Sequence, residues 1–141
     1  MTYYANTDQL LRHLTRLFER MRMEEPEATK AVSNSRLIIR LNLHAPQAVV
    51  LINGRYTPAR VGYESGVLRP DLDISFSADT LHAILLKQIS LKQALASGQM
   101  TVRGPIFKSF ILEDIFRKGQ ALYPQVLHEL SRDGSGPVGF G

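Results

Sequence analysis

The side chains able to do covalent or acid–base chemistry are few in this sequence, and they are badly spaced for it. There is no cysteine, which removes thiolate nucleophiles, disulfides and sulfur-ligated metals. The histidines at 13, 44, 82 and 128 share no local ligand spacing, and each is expected at the surface or an interface. Asp71 and Asp73 alternate along a strand, so their carboxylates share a face. Paired carboxylates can do general acid–base work, but strand periodicity reads these as the solvated face opposite Leu72 and Ile74. "GYESG" resembles a nucleophile elbow with its serine one place late, at Ser65. "GSGPVG" matches G-x-G-x-x-G at Gly134, Gly136 and Gly139, but Pro137 lies inside it and no strand precedes it. Neither motif has the context its chemistry requires. No catalytic residue, metal or cofactor is expected.

The elements that would position these residues are clearer than the residues themselves. Leu10, Leu14, Leu17 and Met21, joined by Leu11 and Phe18, have helical spacing over Asp8 to Met23, and Thr7 is placed to cap that helix. Pro26 and the polar "EEPEATKAVSNS" read as its end. The period then becomes two. Leu37, Ile39, Leu41 and Leu43 fall on one face of a strand, with Arg40 and Asn42 on the other. "QAVVLI" is a second strand, followed by Asn53-Gly54, a dipeptide suited to a hairpin turn with positive φ. Pro58 marks "RYTPARVGYES" as an edge or bulged strand. "DLDISFS" places Leu72, Ile74 and Phe76 together.

Ser77 can cap the helix "ADTLHAILLKQ". Ser90 and Gln93 have capping-box spacing for the short helix that follows, and Gly98 fits the left-handed position after it. "QMTVR" is a last strand. Gly104-Pro105 leads into "IFKSFILEDIF", and Pro124 reads as the start of a final helical piece. A run of strands, then helices, a strand and a helix predicts an α+β fold: a mostly antiparallel sheet covered by helices.

The 141 residues suit one domain, expected over residues 1–132, with residues 133–141 as a disordered tail. Hydrophobic residues make up 44% of the chain. The N-terminus has no leader pattern, and no apolar run is long enough to cross a bilayer. The charge is +4, with a sequence pI of about 9.6. The cations are scattered, which fits acidic ligands or an anionic membrane surface better than nucleic acid.

The stretch "PDLDISFSADTLHAILLKQISLKQALASGQMTVRGPI" resembles the sterol carrier protein 2 family. The matching positions are Pro70, Asp71, Leu95, Ser97, Gly98 and Gly104. The likeness is strong from Pro70 to Phe116, looser from Leu37 to Gly66, and positional for the N-terminal helix. It implies a mostly antiparallel five-stranded sheet covered by helices on one face, and between them an apolar tunnel that takes sterols, fatty acids, fatty acyl-CoA or isoprenoid quinone precursors, with no catalysis. The chain ends "GFG" instead of the peroxisomal address common in eukaryotic carriers, so the resemblance implies a bacterial, cytoplasmic protein.

On pattern alone the apolar residues are core. The circumference of "IFKSFILEDIF" exceeds one stripe, however, and with the resemblance this assigns a lipid-binding lining of Ile74, Phe76, Leu81, Leu85, Met100, Val102, Ile106, Phe107, Phe110 and Ile111. Arg55, Arg60 or Lys108 are the cations expected to meet an acidic head group. The expected partners are a lipid, a transient membrane-surface contact, and a lipid or quinone biosynthetic enzyme. Docking on such an enzyme as an accessory subunit is the alternative function.

Overall fold

A computed structural model describes residues 2–24, 26–64, 66, 69–105 and 110–132. Helix α1 spans Thr7–Glu24 and buries Leu10, Leu14, Leu17 and Met21 along one stripe. Its cap is Asn6, whose side-chain oxygen accepts from the Gln9 N–H at 2.8 Å. Thr7, the expected cap, instead donates its hydroxyl to the Gln47 carbonyl at 2.6 Å.

The polar stretch after α1 does not break into loop. It forms a second helix, α2, Pro26–Ser35. Proline is tolerated in a first turn because the N–H it lacks has no partner there. Of the side chains described in α2, Val32 and Ser33 are the buried ones, so the helix carries too narrow an apolar stripe to announce itself.

Strands β1 (Ile38–His44), β2 (Ala48–Asn53), β3 (Arg60–Gly62), β4 (Leu72–Ser77) and β5 (Met100–Arg103) form one sheet in the order β3-β2-β1-β4-β5. All pairs are antiparallel except β1 with β4. The register stacks like on like. Leu41 lies beside Val50 and Ile74, and Ile74 beside Val102, so one face is continuously apolar. On the other face Arg40 lies beside Asp73, and Asp73 beside Arg103.

The two aspartates are structural. Arg40 forks onto Asp73 with N···O distances of 3.1 and 2.7 Å, and Asp71 accepts the Ile38 N–H at 2.8 Å. Arg40 holds the Asp73 carboxyl below its ordinary pKa.

Asn53-Gly54 does not make a two-residue hairpin. Residues 54–59 link β2 to β3, and Gly54 is not in the left-handed region. Glycine is needed there for close approach: a Cβ would sit 2.4 Å from the Val32 carbonyl oxygen and 2.7 Å from that of Leu37. The three-residue β3 is an edge strand, as Pro58 suggested.

Helices α3 (Ala78–Leu85) and α4 (Leu91–Ala96) begin as the sequence reads. Ser77 accepts from the Thr80 N–H, and Ser90 with Gln93 completes a capping box. Gly98 has φ +80°. The turn expected after Gly104-Pro105 lies partly outside the described residues. Helix α5, Phe110–Arg132, runs unbroken through Pro124, where a fresh start is expected from the sequence. Tyr123 and Val126, both fully buried, hold the helix on either side of the proline, and packing outweighs one lost hydrogen bond. Glu129 on α5 pairs with both Arg16 and Arg20 of α1, tying the two long helices together. The tail expected at 133–141 also lies outside the described residues.

Candidate ligand cavity

Helix α3 packs on β4 and α4 on β5, so these helices cover that end of the sheet. At the other end β3 is short, and the cover comes from α1, the end of α2 and the start of α5. These do not close on the sheet. A cavity of about 570 Å³ remains between them.

Its walls are built in layers. Phe18 and Met21 come down from α1, Val32 from α2 and Ile115 from α5; Ile52 and Val61 rise from the sheet; Tyr56 to Ala59 form one side. Polar groups gather on the same lining: Thr15, Glu19, Arg22, Arg60 and Tyr63. Burial pushes the Tyr63 phenol above its ordinary pKa, so it stays a neutral hydroxyl. Glu19 is engaged by Arg16 at 3.5 Å. The Arg60 guanidinium lies over the Tyr56 ring, 3.8 Å from its centroid. Arg22 and Arg60 make no ion pair among the described residues. This volume is ordinary for a small-molecule site, and apolar walls with two available cations suit an amphiphile.

Behind it is a second space of about 30 Å³, lined only by apolar side chains and Gly119. Phe18, Met21, Ile52 and Ile115 border both spaces.

The residues predicted as lipid lining divide. Leu81 and Leu85 line the inner space. Ile74, Phe76, Met100 and Ile111 are buried in the core, and Val102 is half-buried against it. Phe110 is 63% exposed at the first turn of α5 and lines neither space. Ile106, Phe107 and Lys108 lie outside the described residues. Of the expected cations, Arg60 is on the lining, whereas Arg55 points toward Asp71 at 3.9 Å. The sequence reading missed Phe18, Met21, Arg22, Ile52 and Ile115. A usable signal was present: Leu10, Leu11, Leu14, Leu17, Phe18 and Met21 make the apolar stripe of α1 as broad as that of α5.

Two of the four histidines correct a further expectation, whereas His44 and His128 are exposed as expected. His13 is buried, 1% exposed, with Nδ1 2.8 Å from the Gln9 carbonyl oxygen. His82 is half-buried, its Nδ1 2.6 Å from the Tyr123 hydroxyl, which in turn bonds the Tyr4 hydroxyl. Tyr3 stacks on His82 at 3.6 Å between centroids. His13 falls three residues after Leu10 on the apolar stripe, which carries it inward. No group of side chains able to hold a metal ion occurs among the described residues.

The fold is that of sterol carrier protein 2 domains. The solution structure of the sterol carrier protein domain 2 of Helicoverpa armigera superposes with a TM-score of 0.66 at 18% identity, over 84% of this chain and 94% of that one. A conserved hypothetical protein of Thermus thermophilus, described as possibly a sterol carrier protein, gives 0.55 at 14% identity, over 89% and 95%. Palmitated SCP2L2 from Aedes aegypti gives 0.54 at 16% identity, over 79% and 94%. No protein-family profile and no curated protein sequence matches the chain.

Proposed function

We propose that the protein binds one lipid with an apolar chain and an acidic head group in the 570 Å³ cavity, and carries or presents it without catalysis. The observation that carries this reading is the pairing of a largely apolar chamber with two guanidinium groups on its lining, Arg22 and Arg60, that make no ion pair among the described residues. Apolar burial supplies the affinity, and the cations select a carboxylate or phosphate over a neutral sterol. The fold's occurrence in a palmitated protein supports the same ligand class. A cytoplasmic site of action, and transient contact with a membrane surface during loading, belong to the proposal. Among the described residues no helix is long and apolar enough to cross a membrane.

The test compares a fatty acid with the fatty alcohol of equal chain length. Arg22 and Arg60 are exposed, which places a head-group bond at the weak end of the charge-assisted range. Arg60→Ala and Arg22→Ala should each weaken fatty-acid binding about three- to tenfold and leave the alcohol unchanged. Equal loss for both ligands would remove the head-group assignment. The alternative of docking on a lipid or quinone biosynthetic enzyme draws its support from exposed Phe110, and a partner enzyme retained through purification would decide for it.

A further inference from the structure

The inner space makes no sense as a water site. At about 30 Å³ it has room for water, yet no polar group lines it, so a water there would have no hydrogen-bond partner. What suits it is the apolar end of a chain. It also lies on the far side of a partition that the large cavity shares, made by Phe18, Met21, Ile52 and Ile115. Within that partition Met21 is unbranched and has several rotatable bonds, so it can swing aside without moving the backbone.

The back wall depends on Gly119. This glycine lies in the interior of α5, where alanine is the better helix former, so helix formation does not explain it. Its surroundings do bear on it. A Cβ there would lie 3.1 Å from Leu85 Cδ2 and 3.8 Å from Leu17 Cδ2, and both leucines line the inner space. A side chain at 119 would therefore intrude on the inner space or press on its leucine walls.

We propose that the inner space is a distinct subsite for the terminal methyl of the bound chain, entered past Met21, and that Gly119 sets the longest chain the protein accepts. This rests on the lipid-binding reading above. It adds a selection that the outer cavity alone would not make: an unbranched chain passes the partition, and a branched end or fused ring does not.

The experiment is displacement of a fluorescent fatty acid by a series of saturated fatty acids of increasing length, on the parent protein, Gly119→Ala and Ile115→Ala. In the parent, affinity should rise with length to an optimum and then fall. In Gly119→Ala the optimum should shorten by one or two carbons. Affinity for the longest acids should fall by about fourfold for each methylene denied burial, with shorter acids unaffected. Ile115→Ala widens the partition and should move the optimum the other way, so the inference stays testable if Gly119→Ala folds poorly. Uniform change at all lengths, or no change in either variant, would overturn the subsite while leaving lipid binding intact. A parent that binds no chain of any length would overturn both.

Discussion

Gly54 and Gly98 are both required, for different reasons that predict different penalties. At Gly98 the constraint is the dihedral alone: φ is +80°, and nothing lies within 4 Å of where a Cβ would sit. Gly98→Ala should cost about 1–2 kcal/mol, the ordinary penalty for a left-handed L-residue. At Gly54 the obstacle is backbone, with the Val32 carbonyl oxygen 2.4 Å away, and backbone does not rotate aside. Gly54→Ala should cost about 3 kcal/mol, the upper end for overpacking, because α2 must shift off the β1–β2 sheet. Urea denaturation of the two variants measures this, and a larger loss at Gly98 than at Gly54 would contradict it. Gly98 was legible in the sequence because capping boxes and helix ends are local. Gly54 was misassigned because its neighbours, Val32 and Leu37, meet it only through the tertiary fold.

Helix α1 works at both ends. Its second half supplies Phe18, Met21 and Arg22 to the cavity; its first half holds His13 beside Tyr3 and Tyr4. Burial lowers the pKa of His13 and of His82. The groups facing them are Arg12, which disfavours protonation of His13, the Gln9 carbonyl, which favours it, Asp79, which favours protonation of His82, and His13, which disfavours it. A lowered folded pKa means the native state binds fewer protons than the unfolded chain just below pH 6.5. The stabilisation is therefore full above about pH 6.5 and is lost as pH falls toward the folded values. Asp73 and Glu129, held low by Arg40 and Arg16, lose theirs below the ordinary carboxylate range, in a separate window. The melting temperature should fall between pH 7 and pH 5, and His13→Leu should flatten that slope. An unchanged slope in His13→Leu would show that His13 is not a source of the acid sensitivity. The outline of α1 could be read from its stripe, whereas the continuity of α5 through Pro124 could not. Local rules stop a helix at proline, and the buried Tyr123 that keeps it going bonds to Tyr4, at the other end of the chain.

On the scale of the molecule, the α+β class and the mostly antiparallel sheet follow from periodicity, since each strand's burial is written in its own alternation. The cavity is different. It arises where a three-residue edge strand meets helices that come from both ends of the chain, and no single segment encodes a gap. That is why the sequence assigned the lining to Phe110 and its neighbours, while the chamber formed beneath Phe18, Met21 and Ile115. The most direct test fills that chamber. Val61 is a half-buried side chain on β3 that faces into it, and tryptophan there would occupy space without displacing the core. The measurement is mass spectrometry of organic extracts from the purified parent and Val61→Trp, with melting temperatures as the control. The account predicts a stoichiometric acidic lipid in the parent, and its absence from a Val61→Trp protein that melts at least as high. A parent that carries no lipid and binds none when supplied, or a variant that carries it equally, would contradict the central claim.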